Sequence, residues 1–211
     1  MQARDYGPYE FARDFRVSRE TLERFRLYEA LLRKWQRAVN LVAPSTLDDI
    51  WRRHFADSAQ VAELAPDAKK WVDLGSGAGF PGLVIAIMSA NQDDREVHLV
   101  ESNSRKCAFL SDVVRQTGVK VVVHDSRIDA AAAKIGVADV VSARALAPLA
   151  SLLALSQPFF VRETVGLFLK GREALEEIAE AQKLWRFQWK TLPSRTDSQG
   201  QIIKIWNLEF K

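Results

Sequence analysis

Hydrophobic positions recur along this chain with two different periods, and the change between them divides it. Leu22, Phe25, Tyr28, Leu31, Trp35 and Val39 stand three and four positions apart, which predicts one apolar helical face. Ser18 is placed to cap that helix, with Glu20 and Glu23 in its first turns. Phe11 and Phe15 predict a short helix before it. Ser45-Thr46-Leu47-Asp48 has a hydroxyl and an acid spaced almost as a capping box, so a helix is expected from there to about Leu64, ended by Pro66-Asp67. From Lys70 the texture alternates. Short apolar runs predict strands over 71–74, 97–101, 120–124, 139–142 and 165–170, with helices near 81–90, 104–116, 127–134 and 147–157. A helix over 173–185 is expected next. Two final apolar runs, 187–192 and 202–210, are close enough in sequence to pair as an antiparallel hairpin.

This rhythm predicts an α/β protein of Rossmann-like fold: a doubly wound, mostly parallel seven-stranded sheet ending in an antiparallel hairpin. The division is a helical extension over 1–66 and a core over 67–211, in one structural domain. The 211 residues are 47% apolar and 27% charged, which suits a globular chain able to bury a substantial core. No apolar run approaches the roughly 18–20 residues that span a bilayer. Met1 to Tyr6 contains no apolar leader segment, so the expected location is the cytoplasm, without a membrane. One cysteine, Cys107, rules out an intrachain disulfide and any zinc cluster built on several cysteines. It reads as a small packed residue rather than a nucleophile.

A formal charge of +3 is compatible with a nucleic-acid partner without requiring one. Arg24, Arg26, Arg33, Lys34 and Arg37 fall on the polar face of the 18–39 helix, either as a solvated surface or as a stripe that meets a polyanion. Arg52-Arg53-His54-Phe55-Ala56-Asp57-Ser58 is denser still; its spacing favours a hydrogen-bonded helix junction over a site edge.

The chemistry concentrates at Asp73-Leu74-Gly75-Ser76-Gly77-Ala78-Gly79-Phe80-Pro81-Gly82. A strand, a glycine-rich turn and a helix start in that order open a nucleotide-binding α/β unit. Ligands in such sheets collect beyond the carboxyl ends of the strands. There Glu101 ends the second strand, where a carboxylate can accept from both vicinal hydroxyls of a ribose; its bland alternative is a cap for the helix near Ser104. Ile128 and Asp129 fall where an adenine would lie. Arg144 ends the fourth strand, with an ion pair to Asp125 or Asp139 as its structural alternative. Gly77 to Gly82 satisfies the G-x-G-x-x-G of dinucleotide enzymes, a weak signal alone. Asp73 with Gly75, Gly77 and Gly79 equally satisfies the D-x-G-x-G-x-G of S-adenosylmethionine (SAM) enzymes. The terminal hairpin favours SAM, as does the lack of a Tyr-x-x-x-Lys pair for hydride chemistry.

The acceptor is narrowed by absence. The chain has neither Asn-Pro-Pro-Tyr nor Asp-Pro-Pro-Tyr for exocyclic amines, and no Pro-Cys nucleophile for a pyrimidine carbon. Guanine N7 is nucleophilic without losing a proton, so an enzyme acting on it supplies mainly proximity and alignment.

Taken together these residues resemble the RsmG (GidB) family of bacterial 16S ribosomal RNA methyltransferases. Asp73 to Gly82 is similar to its signature, Phe80-Pro81-Gly82 being the distinctive part. Asn40-Leu41, Arg53-His54 with Asp57-Ser58, Glu101 with Lys106 and Phe109-Leu110, Ser126-Arg127, Ser142 to Ala145 and Leu169-Lys170-Gly171 agree in the same order. Val42 departs from the family's usual threonine. The resemblance implies transfer of a methyl from SAM to N7 of guanine 527 in 16S ribosomal RNA, by direct displacement without metal or covalent enzyme intermediate. It implies SAM contacts at Gly75, Phe80, Ile128, Asp129 and Arg144; Ser76, Gly77 and Glu101 join them from the fold argument. Arg144, His54 and Lys170 are the expected positioning groups, and Arg33-Lys34-Arg37 with Arg52-Arg53 the expected phosphate contacts. The partner would be 16S RNA, a 30S subunit or its assembly intermediate, met by a monomer. The competing readings are an NAD(P)-linked oxidoreductase and a non-catalytic RNA-binding Rossmann domain.

Overall fold

The structure, a computed structural model, describes residues 6–92 and 94–211. The reading of the first five residues as leaderless lies outside them. A seven-stranded sheet runs through the molecule in the order β3-β2-β1-β4-β5-β7-β6. Its strands are β1 (Lys70–Leu74), β2 (Glu96–Glu101), β3 (Val121–Asp125), β4 (Val140–Arg144), β5 (Val165–Lys170), β6 (Trp185–Pro193) and β7 (Gln201–Phe210). The first five are mutually parallel, and β7 runs antiparallel to both β5 and β6. The strand order reverses between β1 and β4, so the crevice at their carboxyl ends is where a ligand is expected.

Helices cover both faces: α1 (Pro8–Phe15), α2 (Arg19–Trp35), α3 (Asp57–Ala62), α4 (Gly82–Met88) and α5 (Ser104–Thr117), then α6 (Ile128–Ile135), α7 (Leu149–Ser156) and α8 (Ala174–Ala181). Side chains alternate across a strand, so β1 feeds two cores. Trp71 joins α1, α2, α4 and α5 on one face. Val72 and Leu74 join α6, α7 and α8 on the other. Because Phe11, Phe25, Tyr28 and Trp51 share the cluster of Phe80 and Leu83, the N-terminal helices pack directly beneath the glycine loop. Among the described residues, no helix is long and apolar enough to cross a membrane.

Two expectations need correction. The helix from 45 to 64 is broken: a 3-10 turn at Pro44–Thr46 is followed by a π-helical turn at Trp51–Ala56, which runs into α3. Ser45 does not serve as the cap: it lies inside the 3-10 turn, whose cap position is Ala43 and carries no side-chain hydrogen bond, while the Thr46 hydroxyl donates to Ala43 O and contacts the His54 ring. The Asp57 N–H reaches back to Arg52 O, the wide spacing of a π turn; Trp51, His54 and Phe55 are all buried there. The helix over 173–185 also stops early, at Ala181. Trp185 instead opens β6 opposite Phe210, with their rings edge to face at 5.1 Å. Ser18 does cap α2, accepting from the Thr21 N–H at 3.2 Å.

Candidate functional site

The loop after β1 is held by its own backbone. Gly75, Gly77 and Gly79 have φ of +63°, +57° and +92°, a region side chains avoid. A Cβ on Gly75 would lie 2.5 Å from Leu146 Cδ1. Ser76 N–H donates to Val100 O at 3.1 Å, its hydroxyl donates to Asp73 O at 2.9 Å, and Gly79 N–H donates to Ser76 O at 2.6 Å.

Asp73 lies wholly buried beneath this turn. Its carboxylate accepts from the Ser142 hydroxyl at 2.7 Å and from Gly82 N–H at 3.2 Å. Ser142 Oγ in turn accepts from the Trp71 indole at 2.9 Å. Burial pushes the Asp73 carboxyl up to about 6, against those hydrogen bonds.

Two cavities open at the carboxyl edge of the sheet and meet at Ala145-Leu146. The first, of about 580 Å³, is lined by Gly75, Gly77, Glu101, Lys106, Ile128 and Asp129 among others. Glu101 is fixed within it: one oxygen accepts from Gly77 N–H at 2.9 Å, the other from Asn103 N–H at 2.8 Å. Asn103, not Glu101, caps α5. A carboxylate has about four acceptor positions, so Glu101 keeps capacity for two hydroxyls. Asp129 is exposed at the rim, 3.7 Å from Arg127. Cys107 is buried and its thiol faces Glu101 O; burial and nearby acids push it up to about 12, which keeps it a thiol.

The second cavity, about 680 Å³, holds Arg144, His54 and Lys170. Arg144 extends over the Phe80 ring at 4.9 Å and donates to Arg53 O at 3.2 Å and His54 Nδ1 at 2.8 Å. Its ion-pair partner is Asp57 at 3.5 Å, not the expected Asp125 or Asp139. Asp139 is taken by the Lys69 and Lys70 N–H groups, and Asp125 by the Ser104 hydroxyl. A guanidinium can only donate, so His54 Nδ1 must accept. Thr46 has already given its proton to Ala43 O, so His54 Nε2–H donates to Thr46 Oγ at 2.7 Å. The chain from Arg144 to Ala43 therefore requires a neutral imidazole. Burial first, then the Arg144 and Arg53 charges, depress His54 to about 3.

The structure thus separates the residues expected at one site. Gly75, Gly77, Glu101, Ile128 and Asp129 line the first cavity. Arg144, His54 and Lys170 line the second. Ser76 and Phe80, 2% and 4% exposed, support the loop from below, Phe80 stacking between His54 at 4.8 Å and Tyr28 at 5.5 Å. The Tyr28 hydroxyl donates to Ala78 O within the same turn. Thr46 and Glu177 carried no sequence signal; the polar run at 52–58 was the signal for Asp57.

The His54 tautomer has a measurable consequence. A histidine held neutral leaves the unfolded chain to take up the proton first, so stability attributable to it falls as pH drops from 6.5 towards 3. Asp73, raised, acts in the opposite sense between about 6 and 3.8. His54→Gln should therefore gain stability relative to the parent chain as pH is lowered from 6.5, by up to about 1.4 kcal/mol per unit. Parallel denaturant midpoints from pH 7 to 4.5 for the two proteins would contradict this.

Comparison with known proteins gives the chain a family. A GidB family model, described as rRNA small subunit methyltransferase G, matches residues 21–202. Proteins named Ribosomal RNA small subunit methyltransferase G from Methylorubrum populi and Rhodospirillum centenum are 51% and 50% identical to this chain. The first alignment covers 91% of each chain, the second 97% of this chain and 93% of the relative. Among solved structures, a Corynebacterium glutamicum protein aligns at TM-score 0.60 and 16% identity over 87% of this chain and 91% of its own. A putative O-methyltransferase from Klebsiella pneumoniae aligns at 0.58 and 11% identity over 85% and 89%. At such identities the two structures share the fold.

Proposed function

The chain belongs to the GidB family, rRNA small subunit methyltransferase G, and from that membership we propose that it transfers the methyl of SAM directly to N7 of guanine 527 in 16S ribosomal RNA. The observation that carries the reading is the pair of cavities meeting at Ala145-Leu146, one built around Gly75, Gly77 and Glu101 and the other around Arg144.

SAM supplies an activated methyl on a sulfonium. The first cavity suits it on two grounds: Gly75 and Gly77 carry no Cβ, so a ligand can approach their backbone, and Glu101 is held rigid with acceptor capacity for both ribose hydroxyls. Asp129 and Ile128 flank the place for the adenine. The acceptor base enters the second cavity from the RNA side. Guanine N7 brings its own lone pair, so the protein holds two reactants in line rather than moving a proton, and proximity carries most of the acceleration. Arg144 is the positioning residue of the acceptor side, set by His54, Asp57 and the Phe80 ring. Lys170 donates to Ala147 O and Glu177 at 2.6 and 2.7 Å, which gives it a role inside the cavity wall.

Phosphates meet the exposed bases at the end of α2, in the turn after it and in the π-helical turn. Arg33 is already tied to Glu29 and Leu47 O, and Arg53 to Asp197; Lys34, Arg37 and Arg52 carry the contact. Affinity for the RNA should fall steeply with salt, the logarithmic slope decreasing by about one for each base removed. The protein works as a cytoplasmic monomer on 16S RNA, in the 30S particle or its precursor.

Two measurements test the reading. S-adenosylhomocysteine should raise the melting temperature, because a ligand bound only by the folded state stabilises it by mass action, whereas NAD(P) should not. Incubation with SAM and 16S RNA, naked and in 30S particles, should yield 7-methylguanosine at the mapped nucleotide. Stabilisation by NAD(P) alone would favour the oxidoreductase; binding of RNA with no transfer would leave a non-catalytic domain.

A further inference from the structure

The acceptor cavity contains three carboxylates, from Asp57, Glu177 and Asp197. Two are spent on the protein. One Asp57 oxygen accepts from Gln60 Nε2, Ser194 Oγ and Thr196 Oγ, and the other faces Arg144. Asp197 accepts from Gln199 N–H with one oxygen and from Arg53 with the other. Glu177 differs. Its Oε2 accepts from Lys170 Nζ at 2.7 Å and from Leu149 N–H at 2.6 Å. Its Oε1 has no hydrogen-bond partner among the described residues, and the side chain is 23% exposed.

This carboxylate is anchored in the cavity wall through Oε2. Lys170, 9% exposed, is itself pinned to Ala147 O. Leu149 opens α7, three residues beyond Leu146, which belongs to both cavities. The ammonium of Lys170 offsets the charge, so a neutral base can approach without facing a bare anion. What Oε1 offers is acceptor capacity alone.

We propose that Glu177 is the specificity-determining residue for the acceptor base, its Oε1 accepting the adjacent N1–H and N2–H2 donors of guanine. This rests on the guanine-N7 reading and adds how the base is chosen. Guanine presents those donors side by side on its Watson–Crick edge. Adenine has a lone pair at N1, which a carboxylate oxygen repels. N7 lies on the Hoogsteen edge of the purine, away from N1 and N2, so recognition through those two atoms leaves the reacting lone pair free.

The test varies the base and the residue together. Reconstituted small subunits carry guanosine or inosine, which lacks the N2 amine, at the target position, and kcat/KM for methyl transfer from SAM is measured for each. The wild type should prefer guanosine by about tenfold, the low end of what one hydrogen bond to a charged group contributes, since with inosine Oε1 still accepts from N1–H. In Glu177→Gln the amide oxygen takes the bonds from Lys170 and Leu149, and its NH2 then faces donors. Guanosine transfer should fall about a hundredfold and the preference should drop to one or below. S-adenosylhomocysteine affinity should not change, a readout that general collapse of the site would move. Glu177→Asp, which keeps the charge but draws both carboxylate oxygens back by one methylene, should also lower the preference and serves if the glutamine variant does not fold. A wild-type preference near one, or a preference preserved in the variants, overturns the assignment of Glu177 while leaving the methyltransferase reading intact. No transfer to guanosine by the wild type overturns both.

Discussion

Replacing Gly82 by alanine is expected to destabilise the fold by about 3 kcal/mol, the upper range for a forced methyl in a filled core. The added Cβ would stand 2.7 Å from Asp73 Cβ and 2.9 Å from Asp73 Oδ2, and would overlap Leu99 Cδ2. None of these atoms has room to move. Asp73 is locked by Ser142 and by the Gly82 N–H, and Leu99 is completely buried. Alanine's better helix propensity returns only about 1 kcal/mol. For a chain of this size the melting temperature should drop by roughly 6–12 °C. Gly171→Ala is the control: its Cβ meets nothing within 4 Å, and the change should stay within about 0.5 kcal/mol. Equal melting temperatures for the two variants would mean that α4 does not approach β1 as closely as described.

Glu101→Ala should weaken S-adenosylhomocysteine binding by about a hundredfold, measured by titration calorimetry. The alanine removes two acceptor positions for ribose hydroxyls, and charge-assisted hydrogen bonds are worth about 1.5–3 kcal/mol each. It also releases Gly77 N–H and Asn103 N–H, so the loop loses its anchor to the end of β2. Glu101→Gln separates the contributions: an amide oxygen can still hold one N–H, so the loop stays closer to its place while the charge is gone, and the loss should be nearer tenfold. Affinity unchanged in both variants would take Glu101 out of the cofactor site.

The strands, the glycine loop and the capped α2 were legible because each rests on local rules. Apolar alternation, glycine at positive φ and a serine before an amphipathic run act over a few residues. The 45–64 segment was not legible, since its course depends on Thr46 meeting His54 and on Trp51 and Phe55 reaching one aromatic cluster. The same limit explains Arg144. Its neighbours in sequence suggested Asp125 or Asp139, whereas its partner Asp57 comes from an N-terminal segment 87 positions away. Trp185 illustrates the edge of a sheet: helical spacing extended through it, but pairing with Phe210 drew it into β6.

By itself the sequence determined the α/β class, the strand–loop–helix unit at Asp73 to Gly82 and the family, because short-range periodicity and a contiguous motif carry that information. Only the tertiary structure decided that the expected site residues divide between two cavities. It also decided that Arg144, His54 and Asp57 form one directional hydrogen-bonded group, and that Glu177 faces the acceptor side with one oxygen unengaged by the protein. These relations join segments far apart in the chain. Hydrogen-bond direction and burial exist only once the helices have closed over the sheet, so no local pattern encodes them.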